Sequence, residues 1–227
     1  MIRTILFDLD GTLVDTEPLH FLGFAETLRR EGVELSRKEY FARLIGYNDH
    51  DCFEVVLKEN GKDAGENHLE VLMTQKATLY QEMIRNRDVM YPGAADFVRQ
   101  CAARFPLMIV TGTLRDEAEM ILRRAGLRDL FLDIVAAEDV PHGKPAPDGF
   151  IAALGRLGFL LRQRDAIEPA QALVIEDTAA GIEAARRAGM RVLALKHTAA
   201  EADLAGADLI RESIRATDLD DVLRSLA

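Results

Sequence analysis

The stretch whose reading decides the fold is ILFDLDGTLVDT, Ile5–Thr16. An apolar run ends in Asp8, a second carboxylate follows at Asp10, and Gly11 and Thr12 turn the chain. Residues two apart on an extended strand point the same way, so Asp8 and Asp10 are presented side by side where a buried strand ends. Two like charges held that close need a cation, a shared proton or separate roles. Asp-Gly is also a common turn dipeptide, so the segment alone is equally an ordinary turn after a strand.

Three later segments repeat the pattern. MIVTGT, Met108–Thr113, is an apolar strand that places Thr111 at its tip with Gly112 and Thr113 behind it. A hydroxyl and free backbone N–H groups ahead of a helix make an anion cradle, and the plain alternative is an N-cap. In GKPAPDGF, Gly143–Phe150, Lys144 is framed by Gly143 and Pro145, with Pro147 opening a helix. Such framing constrains the origin of a compact positive charge suited to phosphate or a carboxylate. ALVIEDTAAG, Ala172–Gly181, runs into Glu176 and Asp177 at a strand tip, and Gly181 lets a helix pack closely behind. Carboxylates converging from separate strand ends are the hard-oxygen set that Mg2+ prefers, although acids at a helix start also suit its dipole.

These four motifs, in this order, resemble those of the haloacid dehalogenase superfamily, and the likeness covers essentially the whole chain. Within it the chain is most similar to the beta-phosphoglucomutase-like phosphatases, through DGTLVDTEPLH (Asp10–His20), GKPAPDGF and EDTAAGIEAARRAGM (Glu176–Met190). The resemblance implies Asp8 as the nucleophile and Asp10 as general acid and base. It implies Mg2+ held by Asp8, Asp177, Glu176 (directly or through water) and the backbone carbonyl of Asp10. Thr111, Gly112, Thr113 and Lys144 would hold the phosphoryl oxygens. His20 either senses the leaving group or couples cap closure to Asp10, unless it is a plain helix-surface histidine.

The rest of the chain is read from its patterning. Apolar runs at Ile2–Phe7, Pro106–Val110, Asp133–Ala137, Ala172–Ile175 and Val192–Leu195 read as buried parallel strands, with Ala207–Ile210 as an edge strand. Helical patterns at Gly93–Ala103, Arg115–Ala125, Pro147–Leu157 and Gly181–Ala188, the last closed by Gly189, alternate with the later strands. Alternation of this kind predicts an α/β, doubly wound (Rossmann-like) parallel sheet, with ligands outside the strand carboxyl ends, where all four motifs fall. Between the first strand and the next, Asp15–Val89 shows helical periodicity only, including an amphipathic stretch His68–Arg87. That predicts a catalytic core of residues 1–14 and 90–227, with a small helical cap domain inserted over 15–89; the resemblance implies that it closes over the site. The charged residues of Glu59–Arg87 read as a solvated helix face.

Composition narrows the partners. With 227 residues, 48% hydrophobic, the chain can bury a core and a small accessory domain. No stretch is long and apolar enough for a bilayer, the first residues run straight into strand-like sequence, and Cys52 and Cys101 are too few for a stapled secreted fold. A cytoplasmic protein is therefore expected, and a monomer by default. A net charge of −10 argues against nucleic acid or an anionic membrane as partner. A closing cap excludes water and sets substrate size, which favours a small phosphorylated metabolite such as a sugar phosphate or phosphoglycolate.

Substrate choice is read from the cap loop. The family's mutases carry basic groups around the glycine matching Gly46, whereas this chain reads LIGYNDHDC, with Ile45, Asp49 and Cys52 at the positions concerned. An acid facing a distal phosphate repels it. That favours a phosphomonoesterase over a beta-phosphoglucomutase-type mutase, although Arg43 offers an alternative basic group. The resemblance implies that halide-releasing dehalogenases lack a second aspartate and Mg2+, so Asp10 and Asp177 argue against one. The complete acidic and basic set argues against a non-enzymatic binding protein.

Overall fold

In a computed structural model that describes residues 1–44, 49–85, 87–161 and 166–226, the apolar runs form six strands. They are β1 (Thr4–Phe7), β2 (Leu107–Val110), β3 (Asp133–Val135), β4 (Ala172–Glu176), β5 (Arg191–Leu195) and β6 (Leu209–Arg211). All neighbouring pairs are parallel, in the order β3-β2-β1-β4-β5-β6. β1, β2 and β4 are buried along their whole length, which explains why they read as unbroken hydrophobic runs rather than alternating ones. β1, β2 and β3 begin or end one or two residues inside the predicted runs, whereas β4 and β5 each extend one residue beyond theirs, to Glu176 and from Arg191, and β6 is shifted to Leu209–Arg211. Pro106 has no N–H for the ladder, so β2 begins at Leu107. β3 stops at Val135 because the Ala136 N–H is taken by the Asp139 carboxylate at 2.9 Å.

Helices α5 (Ala94–Ala102), α6 (Arg115–Arg124), α7 (Asp148–Leu160), α8 (Ala179–Arg187) and α9 (Leu219–Ser225) belong to the sheet unit. Phe150, Ala153 and Leu157 of α7 and Ile182 and Ala185 of α8 pack with Leu6, Met108, Val110, Val174 and Val192 in one core. Phe7 meets Phe97 and Phe131 edge-on, with ring centroids 6.3 and 5.9 Å apart. α7 runs three residues past Leu157, so the Gly158 within it does not end the helix.

The chain divides into two compact units, Met1–Asp15 with Val89–Ala227, and Thr16–Asp88. The second contains α1 (Glu17–Arg30), α2 (Arg37–Glu39), a π-helical turn at Tyr40–Leu44, α3 (Asp49–Glu59) and α4 (Glu66–Arg85). Its own core gathers Phe24, Leu28, Phe53, Leu57, Leu69 and Leu72. The chain leaves and re-enters the sheet unit at one place: Val14 bridges Met90, and the Asp15 N–H donates to the Val89 carbonyl at 2.8 Å.

One reading of this segment is corrected. Lys76 does not lie on a solvated face but is buried, in a stripe with Leu69, Leu72, Tyr80 and Ile84. Its ammonium donates to both Asp49 oxygens at 2.7 and 2.9 Å and contacts His20 Nδ1 at 2.8 Å. Asp49 is therefore not a bare negative charge. Among the described residues, no helix is long and apolar enough to cross a membrane.

Candidate active site

The sheet register sets the site. Phe7 is level with Ile109 on one side and Ile175 on the other, so Asp8, Val110 and Glu176 come next in a row. Thr111 and Asp177 follow one step on. The Asp8 N–H donates to the Ile175 carbonyl at 3.0 Å, carrying the ladder one residue past β1. β1 and β4 flank the point where the strand order reverses, the place where doubly wound sheets bind ligands.

Asp8, Glu176 and Asp177 are all buried, and each offers an oxygen within 4.8 Å of the others. Lys144 is brought to them by a turn in which the Ala146 N–H donates to the Gly143 carbonyl at 2.9 Å. Its ammonium donates to Asp8 Oδ1 and, at 2.6 Å, to Glu176 Oε1. Glu176 is further fixed through Oε2 by the amides of Asp177 and Thr178, both at 2.8 Å, and by the Thr178 hydroxyl at 2.9 Å. Gly181 makes room for it: a Cβ there would lie 1.7 Å from Glu176 Oε1.

The electrostatics are unbalanced. Among the described residues, three buried carboxylates face one ammonium, so with all three ionised two negative charges are in excess. Burial pushes the Asp8 carboxyl well above its ordinary value; Lys144 opposes this, while Glu176 and Asp177 add to it. Burial likewise lifts Asp177 to about 7, with Glu176 adding and the Thr198 and Thr12 hydroxyls opposing. Burial works against the charge on Lys144, but Asp8 and Glu176 outweigh it and keep the lysine protonated. Hard oxygen donors with two negative charges in excess fit a divalent cation of the Mg2+ class.

Asp10 is held by hydroxyls. Its Oδ2 accepts from Thr113 Oγ1 and, at 3.4 Å, from Thr111 Oγ1. The Thr111 N–H donates to the Val135 carbonyl of β3 at 2.9 Å and the Thr113 N–H to Thr111 Oγ1 at 3.0 Å, so the first amide is engaged by the neighbouring strand and the second inside the loop. Gly112 is exposed and has open space at its Cα. Thus Asp8, Asp10, Thr111, Thr113, Lys144, Glu176 and Asp177, predicted from four separate motifs, gather at one end of the sheet.

His20 lies in the helical unit, half-buried against the Tyr80 ring at 4.2 Å and in contact with Lys76. Gly46 and Ile45 fall outside the described residues. Arg43 is half-exposed and paired with Glu39 and Glu59. Burial pushes both thiols, Cys52 and Cys101, up to about 12, in keeping with packing.

Two hydroxyl contacts to Asp177 were not among the predicted site interactions. Thr12 Oγ1 donates to Asp177 Oδ1 at 2.7 Å, and Thr198 Oγ1 donates to Asp177 Oδ2. Thr12 follows the leading Asp-Gly pair, so a polar residue there was a visible signal; Thr198 sits in an unremarkable loop after β5.

A profile of the haloacid dehalogenase-like hydrolases matches residues 2–189. The chain belongs to that family. This hydrolase is 33% identical over 186 residues to a fructose-1-phosphate phosphatase of Escherichia coli K12, covering 82% of this chain and 92% of that one. The CbbY protein of Rhodobacter sphaeroides, solved in complex with phosphate, is 29% identical, with a TM-score of 0.80 over 95% of this chain and 96% of its own. The fold is also that of a beta-phosphoglucomutase from Clostridium difficile, at 21% identity and a TM-score of 0.81 over 100% and 97% of the two chains.

Proposed function

We propose that this hydrolase is a Mg2+-dependent phosphatase of small phosphorylated metabolites, of the sugar phosphate class, working through an aspartyl-phosphate on Asp8. The observation that carries the reading is the buried Asp8, its backbone fixed by its N–H to the Ile175 carbonyl and its carboxylate held by Lys144, beside two further carboxylates and two residues ahead of Asp10. The fructose-1-phosphate phosphatase and the phosphate-bound relative support the substrate class.

Asp8 attacks phosphorus in line with the leaving alkoxide, and water later displaces the enzyme carboxylate. Lys144 holds Asp8 in one orientation and offsets the charge of the phosphoryl oxygens. Asp10, oriented by the Thr111 and Thr113 hydroxyls, gives a proton to the leaving oxygen and then takes one from the attacking water. Thr111, Gly112 and Thr113 line the phosphoryl position. Asp8, Asp177, Glu176 and the Asp10 carbonyl would hold Mg2+, which when bound would offset the charge gathering on the transferred group. Thr16–Asp88 would be the substrate-selecting domain.

Asp8→Asn tests the reading. Phosphate release from fructose 1-phosphate should fall below detection while the circular dichroism spectrum and Tm stay those of the parent. Retained turnover, with contaminating phosphatase excluded, refutes it. Formation of glucose 6-phosphate from beta-glucose 1-phosphate with its bisphosphate primer would assign a mutase instead.

A further inference from the structure

The loop after β5 reaches the site although it carries no motif. Thr198 is itself solvent-exposed, yet its Oγ1 turns inward to Asp177, whose carboxylate is fully shielded. The same oxygen lies 3.2 Å from the Asp177 carbonyl. With Thr12 on Oδ1, each Asp177 oxygen has one hydroxyl donor and keeps a lone pair free for a cation. Thr198 is also wedged against the leading turn: a Cβ on Gly11 would meet Asp177 Oδ2 at 2.1 Å and Thr198 Cγ2 at 2.9 Å.

His197 secures this loop. The Ile214 N–H donates to its Nε2 at 3.1 Å, which puts the ring proton on Nδ1, and Nδ1 contacts the Gly11 carbonyl at 2.8 Å. The ring stacks on Tyr91 with centroids 4.0 Å apart, and the Tyr91 N–H donates to the Leu13 carbonyl at 2.9 Å. Nδ1 and one ring face are therefore committed to the Gly11–Leu13 turn and its support Tyr91, and Nε2 to Ile214.

We propose that His197 and Thr198 are positioning residues: Thr198, with Thr12, holds Asp177 in its ion-binding rotamer, and His197 locks that loop to the Gly11 carbonyl. The inference rests on the reading of Asp177 as a ligand of a divalent ion. Groups of this kind, one step behind a ligand, typically govern metal affinity by orienting the ligand before the ion arrives.

The test measures Mn2+ alone binding to the metal-free 227-residue chain, through loss of the free-ion paramagnetic resonance signal, with no substrate present. Thr198→Val should weaken binding roughly 10–100-fold, with Tm in chelator within about 3 °C of the parent. Thr198→Ser, which restores the hydroxyl, should restore most of the affinity. His197→Phe keeps the stack on Tyr91 but loses the tie to Gly11, and should weaken binding in the same direction. Parent-like Mn2+ binding in Thr198→Val or His197→Phe overturns the proposal. So does a loss in Thr198→Val that tracks a fall in Tm and is not rescued by serine. A parent protein that binds no Mn2+ refutes the metal reading itself, and this inference with it.

Discussion

Lys76 shows what one residue does when the chain closes around it. Its ammonium is buried under Phe24 and Tyr80, 4.7 and 5.1 Å from their ring centroids, and is answered by Asp49 and His20 Nδ1. Asp49→Ala would leave that charge buried with one neutral partner, whereas Lys76→Met removes the charge with its desolvation. Because Asp49 keeps some contact with water, the expected loss for Asp49→Ala is about 1–3 kcal/mol, with a smaller one for Lys76→Met. Urea midpoints decide this, and equal losses would count against the pair as described. His20 gives the matching pH behaviour. Burial, and then the Lys76 ammonium, hold its imidazole well below the ordinary range. The unfolded chain takes up a proton near pH 6.5 that the folded chain refuses, so this contribution is complete above that pH and is lost as pH falls below it. The slope reaches about 1.4 kcal/mol per pH unit. In His20→Gln the fall in stability from pH 6.5 to 5 should be shallower than in the parent, the carboxylates common to both cancelling in the difference. Parallel curves would refute the assignment. Asp8 and Asp177 were legible because each stands at the end of an apolar run, and Lys144 because Gly143 and Pro145 frame it. Lys76 was hidden by its residue type: its place in the stripe Leu69, Leu72, Lys76, Tyr80, Ile84 was the signal, and a charge on an apolar stripe is easily read as an exception.

At the scale of elements, glycines show where backbone approach is demanded and where it is idle. Gly181 lies in the first turn of α8, its N–H donating to Thr178 Oγ1 at 3.1 Å, and Glu176 leaves no room for a Cβ there. Gly155, inside α7, has nothing within 4 Å of a built Cβ. Gly181→Ala should therefore cost roughly 1–3 kcal/mol by overpacking and displace Glu176 from Lys144. Gly155→Ala should stabilise by roughly 0.5–1 kcal/mol, through helix propensity alone. Thermal unfolding of the two variants checks both signs, and a stabilised Gly181→Ala would sink the account of Glu176. Strands and helices were largely legible here, since buried parallel strands are continuous apolar runs and the helices between them are amphipathic. The order β3-β2-β1-β4-β5-β6 was not, because pairing depends on contacts between segments that no single run encodes. Nor was the reach of the loop after β5, whose two site contacts come from an ordinary His-Thr pair.

For the whole molecule, the separateness of the two units has a consequence. Each has its own apolar cluster, drawn from its own residues. β1 pairs with β2 and β4, both of which follow the insertion, so the sheet closes only after the chain has left and returned. The return is clipped by the Val14–Met90 bridge and the Asp15–Val89 hydrogen bond, while the Tyr91 N–H donates to Leu13 at 2.9 Å. Those contacts already bring the ends together as a hairpin would, so a short Gly-Ser turn can replace Thr16–Asp88, and the shorter loop lowers the entropy of closing it. The truncated protein should unfold cooperatively, bind Mn2+ through the retained Asp8, Glu176 and Asp177, and hydrolyse an unselective aryl phosphate. It should lose its discrimination among sugar phosphates, because the proposed selecting residues have gone. A broad, non-cooperative transition would mean that the sheet unit depends on the helical one. Unchanged preference across the sugar phosphates would mean that specificity resides in the strand-tip loops themselves.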